Sequence, residues 1–279
     1  MKTETSSFID ESAIEQTLAA ARKTDASAVR EILAKAREFG GLVPQETAGL
    51  MEISDPQLLS ELFEAARYVK ETIYGRRLVL FAPLYISNLC ANECLYCAFR
   101  AQNKEVQRRA LTQAEIAREV EILTRQGHKR ILLVAGESYP QEGFSYILKA
   151  IDTIYATHSD NSEIRRVNIN VAPLTVDQFR QLKNAKIGTY QLFQETYHRQ
   201  TYQRVHLGGK KTDYNWRITA MDRAMEAGID DVGIGVLFGL CDWRFEILAL
   251  MQHIRHLEAQ FGVGPHTISV PRLEPASGS

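Results

Sequence analysis

The stretch Leu84-Tyr85-Ile86-Ser87-Asn88-Leu89-Cys90-Ala91-Asn92-Glu93-Cys94-Leu95-Tyr96-Cys97-Ala98-Phe99 places three thiols within eight residues, directly after an apolar run that reads as a buried strand. Thiolates this close together at the end of a strand usually hold metal. The spacing is Cys90-x3-Cys94-x2-Cys97, with Tyr96 just before the last thiol. Zinc normally completes its tetrahedron with four protein ligands, and the chain offers no second cysteine pair or nearby histidine. Three cysteines suit a 4Fe-4S cluster with one iron left open, and an open iron can bind a small molecule. A structural zinc site and inert thiols are the competing readings.

Outward from this loop, short apolar runs alternate with amphipathic helices. Strand one is expected over Leu78–Ile86, strand two over Ile131–Ala135, strand three over Val167–Ala172, strand four over Gly188–Phe193, strand five over Val232–Leu237 and strand six over His266–Arg272. Between them, Thr112-Gln113-Ala114-Glu115 is a capping box opening a helix that Gly127 closes. Further helices run through Tyr146–Ile154, after Thr175, from Asp213 to Gly228, and from Trp243 to Phe261. This alternation predicts an α/β fold with a parallel sheet, a partial (β/α) barrel of TIM type with about six strands. Pro275-Ala276-Ser277-Gly278-Ser279 follows strand six without a helix. An unpaired parallel edge there is an aggregation liability, so the expectation is a barrel truncated after strand six.

Upstream, residues 1–77 read as an N-terminal helical cap on a barrel of residues 78–279, with a separate helical module as the alternative. Asp25 precedes the stripe Val29, Ile32, Leu33 and Ala36, which Gly40-Gly41 ends. Asp55-Pro56 opens a helix whose buried face is expected to be Leu58, Leu59, Leu62, Phe63, Ala66 and Val69, up to Gly75.

The chain has 279 residues and a net charge of -1, which gives no electrostatic footprint for nucleic acid or an anionic membrane. Met1–Phe8 lacks the apolar core of a secretory signal, and no run approaches a membrane span. A cytoplasmic protein with a small-molecule substrate is expected. Of four cysteines, three share one loop and Cys241 stands alone, which is not the distribution of a disulfide framework.

The cysteine loop resembles the cluster motif of the radical S-adenosylmethionine (SAM) superfamily, whose barrel carries this loop after strand one. The resemblance implies two cofactors, a 4Fe-4S cluster held by Cys90, Cys94 and Cys97, and SAM chelated to the open iron. The reduced cluster then passes an electron to the sulfonium, and the released 5′-deoxyadenosyl radical abstracts a hydrogen atom. Tyr96 joins the SAM site by its place in the motif. Ala135-Gly136-Glu137 stands where the family has a Gly-Gly-Glu type motif that receives the SAM amino group, with Ala135 replacing the first glycine. Asn168 and Asn170 share one face of strand three, directed at the cofactor or simply satisfied at a strand end. Glu195 lies at the C-terminal end of strand four, the catalytic face of such barrels, and is expected to face the ribose or methionine part of SAM. Ile234, within Gly233-Ile234-Gly235, resembles the family's adenine-contacting strand, although the usual downstream acid is absent.

Longer phrases narrow the resemblance. Pro83–Asn88, Tyr190–His198, Asp230–Leu240 and His266–Arg272 are similar to the aromatic-amino-acid lyase branch, and within it to the tyrosine lyases of [FeFe]-hydrogenase maturation. The similarity covers residues 20–279. It implies cleavage of the Cα–Cβ bond of tyrosine to p-cresol and dehydroglycine, the source of the CO and cyanide ligands. The C-terminal auxiliary-cluster domain of those lyases, with its cysteine pair, has no counterpart in this sequence. Ser269 and Arg272 are implicated in holding the substrate, and a guanidinium also matches a carboxylate in bidentate geometry. The bland reading of Arg272 is a surface arginine. Implied partners are tyrosine, an electron donor such as flavodoxin or ferredoxin, and other hydrogenase maturation proteins. A tyrosine lyase of thiamine thiazole synthesis and a non-catalytic Fe-S or zinc carrier are the alternatives.

Other residues carry weaker signals. Cys241 reads as a free thiol and His128 as a solvated loop residue. His198 and His206 read as structural or as acceptors for a phenol proton. Arg108-Arg109 and Lys210-Lys211 read as solvated basic pairs.

Overall fold

The computed structural model describes residues 8–159 and 162–278; residues 1–7 of the opening stretch read for a secretory signal lie outside them. Six strands pair in parallel in the order of the chain: β1 (Ala82–Ser87), β2 (Arg130–Ala135), β3 (Arg166–Asn170), β4 (Tyr190–Glu195), β5 (Val232–Val236) and β6 (Thr267–Ser269). The helices are α1 (Glu11–Ala21), α2 (Ala26–Arg37), α3 (Pro44–Met51), α4 (Pro56–Tyr74), α5 (Gln113–Arg125), α6 (Ser145–Ala156), α7 (Val176–Asn184), α8 (Arg199–Val205), α9 (Tyr214–Ile218), α10 (Ala220–Glu226) and α11 (Trp243–Phe261). This is the α/β partial barrel that the alternating pattern predicts. No described helix is long and apolar enough to cross a membrane.

The described residues divide into two compact units. One holds the residues up to Val79 together with Cys241–His253. Helices α1, α2 and α4 start where aspartates cap them: Asp10, Asp25 and Asp55 each accept a hydrogen bond of 2.9 Å from a backbone N–H in the first turn. Val29, Leu33, Leu58 and Ala65 form its core, with Leu50, Ile53 and Leu62 packed against them. The expected face of α4 needs correction, because Phe63 is 68% exposed and Ala66 is exposed too. Leu58, Leu62 and Ala65 repeat at helical spacing, whereas Phe63 sits one position, about 100°, further round.

The other unit holds Leu80–Leu240 and the residues from Ile254 on. Leu84, Ile86, Ile131, Leu133, Val167, Ile169, Tyr190, Val232 and Ile234 are buried on its strands. Every residue of β5 is buried, as expected of a parallel strand covered on both faces. Gly235 serves that packing: a Cβ there would stand 2.6 Å from both Phe193 Cδ1 and the Ser269 carbonyl.

Most strand ends fall within two residues of expectation, and three elements depart further. Strand one begins at Ala82 rather than Leu78, because its ladder starts at Ala82–Ile131; Leu78 is left 80% exposed. Strand six is only Thr267–Ser269, although Phe238 continues its bonding with Pro271 and Leu273 at 2.8 and 2.7 Å. The expected helix over 213–228 breaks at Thr219. Arg223 causes this: its guanidinium donates to the Trp216 carbonyl at 2.7 Å and to Thr219 Oγ1 at 2.8 Å, drawing that carbonyl away from the helical ladder.

Candidate active site

The cysteine loop leaves the sheet at the C-terminal end of β1. Cys94 is buried, Cys90 and Cys97 are half-buried, and all three are free thiols. Arg108, expected to be solvated, instead ties the loop together. Its guanidinium donates to the carbonyls of Asn88 and Phe99 at 2.9 Å each, of Asn103 at 3.3 Å, and of Arg100. Arg100 in turn donates to Glu93 at 2.7 Å, inside the motif. Two backbone segments press on the loop. A Cβ at Gly136 would lie 2.2 Å from the Leu89 carbonyl, and one at Gly209, whose φ is 80°, would lie 2.2 Å from Asn92 Oδ1. Only glycine allows such approach. Cys94 itself pairs with His206 in a short antiparallel ladder of Glu93–Cys94 with His206–Gly208.

Four charged side chains converge beside the loop. Arg217 Nη1 donates to Glu137 Oε1 at 2.7 Å, and Arg217 Nη2 lies 3.4 Å from Glu195 Oε1. Lys211 Nζ donates to the same Glu195 oxygen at 2.8 Å. Arg217 and Lys211 are only 4% and 8% exposed. Glu137 Oε2 also accepts from Asn92 Nδ2 at 2.7 Å, which joins the end of β2 to a residue between the first two cysteines. Asn92 completes the circuit by accepting the Lys211 backbone N–H at 3.0 Å. Glu195 has a φ of 72°, a strained value for a non-glycine residue, beside a β-bulge between β4 and β5. The bulge turns its carboxylate into this cluster of charges.

The electrostatics follow from burial. Burial alone would push Glu137 up, but the Arg217 and Lys211 charges outweigh it and hold the carboxyl below its usual range. Burial opposes charging of Lys211 and so does Arg217, yet Glu195, Cys94 and Glu137 raise it above an ordinary lysine. The Cys94 thiol is pushed up to about 11 by burial, and Lys211 is the foremost charge acting against that rise. Cys97 is raised in the same way, chiefly by burial. His206 drops to about 3, mainly through burial and then through Lys211 and Arg217, so it is neutral near pH 7.

Ala135 and Gly136 are buried, and the Gly136 N–H donates to the Ser87 carbonyl at 2.9 Å, which sets Glu137 at the loop. Tyr96 OH is 2.8 Å from His206 Nε2, while His206 Nδ1 meets the Tyr202 carbonyl at 2.9 Å. Both ring nitrogens of His206 are therefore engaged. His198 caps α8 through Thr201, the structural reading. Asn168 is placed apart from the charged cluster, since its Oδ1 accepts from the N–H of Thr189, the residue before β4, at 3.0 Å. Asn170, the last residue of β3, is half-buried. Ile234 is buried within β5, and Ser269 ends β6 beside Gly235. Arg272 is exposed and has no ion-pair partner among the described residues. An apolar cavity of about 460 Å³ opens beside the motif, lined by Leu95, Tyr96, Val205, Leu240, Leu273, Glu274 and Pro275.

Lys211 and Arg217 are the residues that sequence reasoning missed. Their one signal is charge balance: two acids at buried strand ends require cations, and Arg199, Arg204, Lys210, Lys211 and Arg217 all follow β4. Spacing alone cannot choose among them.

The donor set fits a cubane cluster. Three free thiols share one loop, and among the described residues no three His, Cys, Asp or Glu side chains converge as one metal ion would require. A 4Fe-4S cluster gives each cysteine its own iron and tolerates wider spacing. Residues 84–251 match the radical SAM superfamily, and the chain belongs to it. Members of that superfamily are enzymes that use a 4Fe-4S cluster and S-adenosylmethionine.

Within the superfamily, the chain is similar to a crystal structure of HydG, a maturase of the [FeFe]-hydrogenase, with a TM-score of 0.94 and 53% identity, covering 97% of this chain and 60% of that one. HydG from Carboxydothermus hydrogenoformans gives 0.88 and 45%, covering 96% and 62%. The 2-iminoacetate synthase of Escherichia coli (strain K12) is 34% identical over 221 residues, 79% of this chain and 57% of that protein. The chain thus spans less than two thirds of each of these relatives.

Proposed function

We propose that the chain is a radical SAM lyase that cleaves the Cα–Cβ bond of tyrosine to p-cresol and dehydroglycine, in the maturation of the [FeFe]-hydrogenase active site. The observation that carries this reading is the similarity to HydG at 53% identity over 97% of the chain. The 2-iminoacetate synthase relative supports the same cleavage, because 2-iminoacetate is dehydroglycine.

Bound together, the cluster and SAM would supply the radical chemistry for hydrogen-atom abstraction from the substrate amine. The protein's own residues bind and orient. Cys90, Cys94 and Cys97 would each hold one iron, leaving the fourth for SAM. Glu137 and Glu195, ion-paired to Arg217 and Lys211, would present carboxylates to the SAM ammonium and ribose hydroxyls. Tyr96, Asn170 and Ile234 would flank the nucleoside. Ser269 and Arg272 lie at the β6 end, where a guanidinium would grip the tyrosine carboxylate and fix the amine for attack. The buried ion pairs and the half-buried loop would limit water at this site. A small electron carrier such as flavodoxin or ferredoxin, other maturation proteins and a cytoplasmic setting complete the reading.

Anaerobic reconstitution with iron and sulfide, followed by SAM, dithionite and tyrosine, tests it. p-Cresol and 5′-deoxyadenosine should appear together and in proportion. Production of 5′-deoxyadenosine without any p-cresol would refute tyrosine as the substrate.

A further inference from the structure

Lys211 is costly to place where it is. Removing an ammonium from water costs several kcal/mol, and one carboxylate offsets that only in good geometry. Glu195 has two cations within ion-pair distance, Lys211 at 2.8 Å and Arg217 at 3.4 Å, while Arg217 also pairs with Glu137 at 2.7 Å. Yet the fold holds Lys211 from both ends of its backbone. Its N–H donates to Asn92 Oδ1 at 3.0 Å, and its carbonyl accepts from Tyr202 OH at 2.5 Å. Asn92 lies between Cys90 and Cys94, so the lysine is anchored to the cysteine loop itself. Its ammonium stands 5.6 Å from the centre of the Tyr96 ring, between Cys94 and Cys97 in sequence. With Lys211, the buried group of Glu137, Glu195, Arg217 and Lys211 sums to zero; without it, the sum is one negative charge.

The cysteine loop would add negative charge beside this neutral group. Three thiolates around a 4Fe-4S core of charge 2+ give a net charge of about -1, and the added electron makes it about -2. A fixed cation in a low-dielectric pocket beside such a centre favours the more negative state.

We infer that the Lys211 ammonium is the built-in countercharge of the cysteine-bound cluster and raises its reduction potential, acting as a positioning and tuning residue. This inference rests on the cluster reading above and goes beyond it by naming the residue that tunes the electron transfer. Lys211 contributes no ligand. It stabilises the reduced cluster by charge and holds Glu195 in its strained conformation through the 2.8 Å ion pair.

The test is an EPR-monitored redox titration, without SAM, of the reconstituted chain and its K211M, K211Q and K211R variants, with iron content and melting of the apoprotein measured alongside. Glutamine keeps a hydrogen-bond donor without the charge, and arginine keeps the charge. The midpoint should move to more negative potential in K211M and K211Q, and stay near that of the parent in K211R. Loss of iron from both neutral variants, with K211R loaded and all apoproteins melting alike, supports the same charge requirement. A neutral variant that holds its cluster at the parent midpoint overturns the inference, as does loss of the cluster from K211R. A parent chain that takes up no cluster overturns the cluster reading itself, so the two failures are distinguishable.

Discussion

Replacing Arg217 by alanine is expected to destabilise the protein by about 3–5 kcal/mol, the usual cost of removing one member of a buried ion pair. The guanidinium donates to Glu137 Oε1 at 2.7 Å and to the Phe193 carbonyl at 2.8 Å, and it is 4% exposed. Its loss leaves Glu137 buried, with Asn92 as its remaining side-chain hydrogen-bond partner among the described residues. The pH dependence then reverses in sign. In the parent, Glu137 titrates below its usual range, so its stabilisation is present above the ordinary carboxylate value and is lost as pH falls through the depressed one. In the variant, burial prevails and the carboxyl titrates above that value, so stability falls as pH rises through the raised one. Urea denaturation of the apoprotein between pH 4 and pH 8, values chosen on the order of the carboxylate range and neutrality, checks both features. The R217M/E137Q double variant should recover most of the loss, because no charge is left unpaired. A loss for Arg217→Ala below about 1 kcal/mol would contradict the buried network.

Cys94→Ala has the largest expected effect on activity. Cys94 is the buried thiol of the motif, and under the proposed reading its removal would take away one of three cluster ligands. Iron content after reconstitution should fall sharply, and reductive cleavage of SAM should become undetectable. The apoprotein should still fold, because replacing the thiol by hydrogen at a strand end costs about 1–2 kcal/mol at most. Cys241→Ser is the control. Cys241 lies outside the motif, and this variant should keep both its cluster and its SAM cleavage. Retention of SAM cleavage in Cys94→Ala would remove the loop from the mechanism.

These two variants mark where sequence is informative and where it is not. Cys94 is legible because three thiols at fixed intervals after an apolar strand form a local pattern. The sheet is legible for a similar reason, since periodicity and capping boxes such as Thr112–Glu115, observed as exchanged bonds of 2.7 and 3.3 Å, act over a few residues. Glu137 and Glu195 could be singled out because the C-terminal ends of parallel strands are predictable positions. Arg217 and Lys211 escape because their partners are 80 and 16 residues away in the chain, and burial decides their role. Lys211 follows Lys210 in a polar segment, and nothing local separates the exposed lysine from the buried one. Arg108 escapes for the same reason, since its guanidinium folds back onto loop carbonyls that no periodicity reveals. Elements also end where tertiary partners end. Leu78–Phe81 continues the apolar run without a ladder to join, and Arg223 interrupts a helix that propensity alone would continue.

The charged cup formed by Glu137, Glu195, Arg217 and Lys211 beside three thiols has its clearest reading as a SAM site over an open iron. EPR spectroscopy of the dithionite-reduced, reconstituted chain with and without SAM tests that reading most directly. Binding of SAM to the open iron should change the g-values of the reduced cluster. A cluster signal identical in the presence and absence of saturating SAM would contradict it.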